Sequence, residues 1–249
     1  MSVEFQEKTL PHCITATPKT SVFVSRTAEC VLAFLGLTLL SPLFLIFAAI
    51  IKITSPGRIF FRQERVGRGG KVFILYKFRS MIDSKNGLLV TAEGDFRITL
   101  FGRLMRKTKL DELPELYNVL RGDMALVGPR PEVVDFVDLA NPLWRDVLTI
   151  RPGITDPVTI QFRNEEGLLA GVEDKRKFYL EVIQPYKLEG YKRYLRTKGL
   201  KNDLKIVAKT LKVVVFPSTS PPLMIDGISH SQQQPLNVIS QTSTLVDTP

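Results

Sequence analysis

Two adjacent carboxylates, Asp111 and Glu112, lie in the segment TKLDELPELYNVLRGDMALVGPRPE, residues 108–132. Arg106, Lys107 and Lys109 stand just before them. A carboxylate among cations stays ionised and can act as a nucleophile. Thr108 is placed to cap a helix that would carry both acids in its first turn, where Pro114 is also tolerated. The positive end of such a helix attracts phosphate. Neighbouring helical residues point about 100° apart, so the two acids can divide the work. One can attack while the other holds Mg²⁺, a hard cation that takes oxygen ligands and bridges to substrate phosphates. The plainer alternative is that both acids only complement the helix dipole.

Gly128-Pro129-Arg130-Pro131 holds one arginine between two prolines. Rigid presentation of a guanidinium suits two-point binding of phosphate; a tight loop with a surface arginine is the alternative. Arg151-Pro152-Gly153-Ile154-Thr155 is a similar, weaker turn.

These residues need a scaffold. Ile59-Phe60-Phe61 and Val72 to Tyr76 are β-prone and flank Gly67, Gly69 and Gly70, which predicts a hairpin. Residues 96–107 read as a helix with Ile98, Phe101, Leu104 and Met105 on one face. Phe178 to Phe216 is mostly helical. There Leu200, Leu204, Val207, Leu211 and Val215 keep helical spacing against Lys201, Lys205, Lys209 and Lys212. Such a helix either lies in a membrane interface or packs on the core as a basic surface helix.

From Cys30 to Ile51 the chain runs 22 residues without a charge. As a helix this is about 33 Å, enough for a bilayer core. Ser41-Pro42 falls in its middle, and proline removes a backbone donor, so a bend is expected there. Lys19 and Arg26 precede the run; Lys52, Arg58, Arg62, Arg65 and Arg68 follow it. Basic flanks favour the cytoplasm. A bent, re-entrant helix keeps both flanks there, whereas a straight single-pass anchor with a kink does not.

The whole chain has 249 residues and a formal charge of +9. Segment 217–249 has no Lys or Arg and is rich in Pro, Ser, Thr and Gln, the composition of a disordered tail. Without it the body carries +11. Such a balance suits polyanionic partners, and the basic stretch from Lys52 to Arg79 suits anionic membrane lipids. Two cysteines and two histidines exclude a disulfide scaffold and make a His-rich metal site or a Ser-His-Asp triad improbable. No nucleic-acid-binding module occurs.

SPGRIFFRQERVGRGGKVFILYKFRSM, then KTKLDELPELYNVLRGDMALVGPRPE, then RPGIT, behind a hydrophobic run broken at Ser-Pro, closely resembles bacterial sugar transferases of the monotopic phosphoglycosyl transferase superfamily. The likeness extends from about Arg26 to Phe216. It implies an α/β, mainly helical fold with a small β-hairpin and interfacial helices. The expected organisation is an irregular segment 1–25, a re-entrant membrane helix 26–52 kinked at Ser41 and Pro42, a catalytic domain 53–216, and the tail 217–249. The catalytic domain is expected on the cytoplasmic face of a bacterial inner membrane. The resemblance makes Asp111 the nucleophile and Glu112 the Mg²⁺ residue, with Lys77, Arg79, Arg106 and Arg130 binding substrate phosphate. It implies transfer of a sugar 1-phosphate from a UDP-sugar to a polyprenyl phosphate, undecaprenyl phosphate in most bacteria, with release of UMP and a phosphosugar-Asp111 intermediate. That step begins a surface glycan.

One stretch departs from the pattern. Where relatives read Pro-Gly-Ile-Thr-Gly before a Gln-Val-x-Gly-Arg-Asn-like stretch, this chain has Thr155-Asp156-Pro157 and then Gln161 to Glu166. Hexose, N-acetylhexosamine and diamino-sugar donors all remain compatible. Two other functions fit fewer of the motifs. A membrane-anchored glycosyl transferase would release UDP rather than UMP. A non-catalytic basic scaffold would bind lipid or nucleic acid without either acid.

Overall fold

The computed structural model describes residues 19–82, 95–170 and 172–216, with side chains from Arg26 onward. Residues 1–18 and the expected tail 217–249 lie outside the described residues. Helix α1 (Lys19–Leu39) begins before the boundary expected at residue 26. Helix α2 (Ser41–Thr54) follows after Leu40, and the pair is bent by 58°. The bend has a local cause. Pro42 lies in the first turn of α2, so the Thr38 carbonyl lacks its helical N–H donor. The Ser41 hydroxyl donates to that carbonyl instead, at 2.8 Å. Among the described residues no single helix is long and apolar enough to cross a membrane; this bent pair passes that test together.

Both outer ends of the pair are tied to the same body. Arg26, on α1, donates to the carbonyls of Val119, Leu120 and Met124. Just past α2, Arg79 donates from Nη1 to the Pro56 carbonyl at 2.8 Å and from Nη2 to the carbonyl and hydroxyl of Ser55, both at 2.7 Å. Between these ends Ala33, Phe47 and Ile51 are buried, while Leu35, Leu39, Leu45 and Ile46 are exposed.

Strands β1 (Phe60–Val66) and β2 (Val72–Phe78) form the anticipated antiparallel hairpin, with Val66 opposite Val72. Helix α3 (Leu100–Thr108) starts later than the sequence suggests, because Ile98 bridges Met81 and Thr99 caps the helix through Gly102 N–H at 2.9 Å. Helix α4 (Glu115–Arg121) packs against α1 around Ala33, Leu116 and Val119. Strand β3 (Ala125–Val127) pairs in parallel with β4 (Gly153–Thr155), and α5 (Pro142–Val147) lies between them in the chain.

The remainder is helical: α6 (Pro157–Gln161), α7 (Glu165–Leu168) and α8 (Lys175–Phe178), then, in the stretch expected to be helical, a π-helical turn at Tyr179–Ile183, α9 (Gln184–Thr197) and α10 (Leu200–Val215). The largest core joins Trp144 and Val147 of α5 to Val158, Ile183, Leu188 and Tyr191. On α10 the regularly spaced leucines are not the residues that the core takes. Ile206 and Val213 enter the core beside Tyr194, whereas Leu200, Leu204, Leu211 and Val215 are exposed. At about 100° per residue, Ile206 lies roughly 200° around from Leu204. The helix therefore carries two apolar stripes, and the body takes the β-branched one.

Candidate active site

Lys109 is the one non-glycine residue with positive φ among the described residues, at 60°. A left-handed residue ends an α-helix. The chain therefore leaves α3 at Thr108 and enters a 3₁₀ turn, Leu110–Glu112, that carries both acids. This corrects the expected helix start: Thr108 caps nothing downstream, and its hydroxyl donates back to the carbonyls of Leu104 (2.8 Å) and Met105 (3.1 Å).

Asp111 and Glu112 are both buried, with different surroundings. Arg130 donates from Nη2 to Glu112 Oε1 at 2.5 Å and from Nη1 to Oε2 at 3.2 Å. Lys77 Nζ donates to the same Oε1 at 3.0 Å. Burial opposes ionisation of Glu112, but Arg130, then Lys77 and Lys109, hold its carboxyl well below the usual carboxylate range. Asp111 differs: its Oδ1 is buried without a hydrogen-bond partner. Burial, then the charge on Glu112, push its carboxyl up, against the pull of Lys77, Lys109 and Arg106. Glu115 completes the cluster at 3.4 Å from Lys77 Nζ.

Sequence reading missed two positioning devices. Asn118, fully buried on α4, donates to the Ile74 carbonyl at 2.7 Å and accepts from the Tyr76 N–H at 3.1 Å. It joins α4 to β2 and so brings Lys77 to the acids. Gly128 and Gly153 pack backbone to backbone. A Cβ on Gly153 would stand 2.1 Å from Gly128 N, and Gly153 N–H donates to the Pro129 carbonyl at 2.9 Å. The Arg-Pro-Gly turn thus seats the Pro-Arg-Pro loop, which aims Arg130 at Glu112.

A cavity of about 420 Å³ brings together Lys77, Arg79, Arg106, Asp111, Glu112 and Arg130. Two of these are placed differently from expectation. Both terminal nitrogens of Arg79 are taken up by Ser55 and Pro56, so it clamps the end of α2 from within the cavity wall. Arg106 is ion-paired through Nη2 with Glu166 Oε1 at 2.5 Å.

The wall also holds groups with no local sequence signal. The Tyr179 hydroxyl donates to Glu132 Oε2, and Glu132 Oε1 pairs with Arg65 at 3.4 Å. Lys187 Nζ meets Glu165 Oε2 at 2.5 Å and lies 4.9 Å from the Tyr179 ring centroid. The departure at Thr155-Asp156-Pro157 acquires a reason. Asp156 caps α6 by accepting from the N–H groups of Val158 (2.6 Å) and Thr159 (3.0 Å), and Pro157 opens the helix.

The acids suit Mg²⁺ chemically. Glu112 Oε2 accepts one hydrogen bond and keeps a lone pair, and Asp111 Oδ1 has no partner. Among the described residues no three His, Cys, Asp or Glu converge as a metal-ligand group. The fit is therefore to a cation held by one or two carboxylates and completed by phosphate oxygens and water.

The sequence profile of the bacterial sugar transferase family matches residues 20–217. The chain is 36% identical over 198 residues to the UDP-N-acetylgalactosamine-undecaprenyl-phosphate N-acetylgalactosaminephosphotransferase of Aeromonas hydrophila, covering 78% of this chain and 44% of that protein. It is 37% identical over 191 residues to a UDP-glucose:undecaprenyl-phosphate glucose-1-phosphate transferase of Caulobacter vibrioides, covering 75% and 67%. A third relative is a putative undecaprenyl-phosphate N-acetylgalactosaminyl 1-phosphate transferase of Bacillus subtilis, 43% identical over 125 residues, which are 49% of this chain and 70% of the relative. The chain thus spans under half the length of the Aeromonas protein and about two thirds of the other two.

Proposed function

Given that the chain belongs to the bacterial sugar transferase family, we propose that it transfers a sugar 1-phosphate from a UDP-sugar to undecaprenyl or a related polyprenyl phosphate at a bacterial membrane. The observation that carries this reading is Asp111 Oδ1, buried and unpartnered in one cavity with Lys77, Arg106 and Arg130. An unpartnered carboxylate oxygen among cations is an available nucleophile.

Two displacements at one phosphorus follow. Asp111 Oδ1 attacks the β-phosphorus of the donor. The bond from that phosphorus to the bridging oxygen breaks, and UMP leaves with the electron pair. The acceptor's phosphate oxygen then attacks the same phosphorus, and the bond to Asp111 breaks to restore the carboxylate. The guanidinium of Arg130 and the ammonium of Lys77 offset charge on the transferring phosphoryl oxygens. Glu112 keeps both cations in place and, ionised, would hold Mg²⁺, which would supply charge compensation to the leaving phosphate.

The membrane arrangement belongs to the same proposal. The bent pair α1–α2 is re-entrant and the body lies on the cytoplasmic face. Its support is the attachment of both ends of the pair to one body, through Arg26 and through Arg79. Both basic flanks then stay on one side, as their charge favours.

The test is product identification with purified protein in nanodiscs, undecaprenyl phosphate, Mg²⁺ and a panel of UDP-sugars. UMP and a lipid-linked sugar diphosphate are expected. Release of UDP would show transfer of the sugar alone, and absence of any lipid-linked product with every donor would overturn the reading.

A further inference from the structure

Beyond Asp111, Glu112 and Glu132, further carboxylates are an unexpected lining for a cavity that takes a diphosphate, since like charges repel. The segment that departs from the family pattern places two there, Glu165 and Glu166. Glu165 answers the ammonium of Lys187, whose side chain is nearly sealed from solvent. Glu166 answers Arg106, and this pair is open: the side chains are 32% and 20% exposed, against 11% for Glu112 in its grip by Arg130. Among the described residues the other terminal nitrogen of Arg106 reaches only Ser80 Oγ and Met81 Sδ, both at 3.4 Å. For Ser80 Oγ that is a long contact for an N–H donor.

The donor's diphosphate matches the guanidinium fork and brings two negative charges against the one of Glu166. A donor phosphate in this cavity therefore competes for Arg106 and sets Glu166 free. A freed carboxylate is an acceptor only, and the neighbouring donors on the substrate are sugar hydroxyls. Asp111 Oδ1, unpartnered in the same cavity, marks where the reacting phosphorus must come. The sugar bonded to that phosphorus then lies within the walls that hold Glu166.

We propose that Glu166 is the residue that reads the donor sugar: it pairs with Arg106 until the donor binds, is displaced by the donor phosphate, and then accepts hydrogen bonds from ring hydroxyls. This rests on the transfer reaction proposed above and adds a specificity determinant to it.

Two effects of opposite sign follow from Glu166→Gln. UDP has the phosphates but no sugar, so its binding should tighten once the competing charge is gone. Discrimination between donors that differ in one hydroxyl should weaken, because a charged acceptor is lost. The experiment uses the full chain in nanodiscs. UDP affinity is measured by calorimetry, and kcat/KM is measured for UDP-glucose against UDP-galactose and for their N-acetylhexosamine counterparts. Glu173→Gln, which removes the same charge from an exposed residue outside the cavity lining, is the control.

In Glu166→Gln, UDP should bind roughly threefold to tenfold more tightly and the larger epimer ratio should shrink by a similar factor, as for one hydrogen bond gained or lost. Unchanged UDP affinity, weaker UDP binding, or an unchanged epimer ratio each overturns the proposal, as does the same response in Glu173→Gln. If the parent protein transfers sugar phosphate while Glu166→Gln behaves like it, only this inference fails. If the parent protein transfers nothing, the reaction reading fails as well.

Discussion

Arg130 holds the carboxylate of Glu112 at two points, Nη2 to Oε1 at 2.5 Å and Nη1 to Oε2 at 3.2 Å. A lysine keeps the charge but cannot make that fork. Arg130→Lys is expected to lower kcat by about 10- to 100-fold, and Arg130→Ala by about 100- to 1,000-fold, the usual range for a lost charge stabiliser. Arg130→Ala also strands part of a buried ion pair, which costs about 3 kcal/mol in stability. Steady-state rates and urea midpoints on the same preparations check both. Equal activity of Arg130→Lys and the parent protein would show that the fork is not needed.

Asp111→Asn keeps shape and removes the nucleophile. Turnover should fall below detection. Stability at neutral pH should be retained or rise, because burial disfavours the charged form of Asp111 in the folded protein. Product formation and the thermal midpoint are the two readouts, and turnover at the parent rate would sink the assignment of Asp111.

Glu115 makes stability depend on pH. Burial raises its carboxyl from 4.5 to about 7, with Lys77 pulling it down and Glu112 pushing it up. The folded state therefore binds this proton more tightly than the unfolded chain. The stability that Glu115 contributes is fully present below pH 4.5 and is lost as pH rises through about 7. Glu115→Gln cannot ionise, so urea midpoints across that window should fall less with pH than those of the parent. Parallel slopes for the two proteins would rule Glu115 out as the source.

Gly153→Ala tests how the loop is seated. Its Cβ would meet Gly128 N at 2.1 Å and Gly128 O at 2.6 Å, both backbone atoms that cannot rotate away. Overpacking of this kind costs roughly 1–3 kcal/mol. Because Gly128 leads into Pro129 and Arg130, turnover should drop along with stability. A variant that loses stability but keeps the parent kcat would uncouple the turn from the site.

The topology proposal predicts accessibility from one side. After replacement of Cys13 and Cys30, single cysteines at Val22 and Arg58 should both react with an impermeant maleimide in inverted membrane vesicles and both resist it in intact spheroplasts. Labelling on opposite faces would make α1–α2 a spanning kinked helix.

Much of the site was legible because its parts are sequence neighbours. Asp111 with Glu112, and Pro-Arg-Pro around Arg130, each occupy one short stretch, and the structure unites them in one cavity. The hairpin and the bend at Pro42 were legible because glycine and proline act locally. Contacts between distant segments were not. Nothing near Asn118 announces a clamp on β2, and nothing near Gly153 announces the backbone of Gly128. Lys109 carries no residue-type signal for a left-handed conformation, so Thr108 looked like a cap when it closes the preceding helix. Arg79 and Arg106 were recognisable as cations, but their partners Ser55 and Glu166 lie 24 and 60 residues away.

The hold of Arg26 on Val119 and Met124 reaches 93 and 98 residues along the chain. A ribosome therefore releases the whole uncharged run from Cys30 to Ile51 well before the carbonyls that anchor its first end have been synthesised. During that interval the run needs an apolar host that the nascent chain does not yet provide. On the proposed topology a bilayer engaged during translation would be that host, and the body would then assemble onto a hydrophobic wedge already in place.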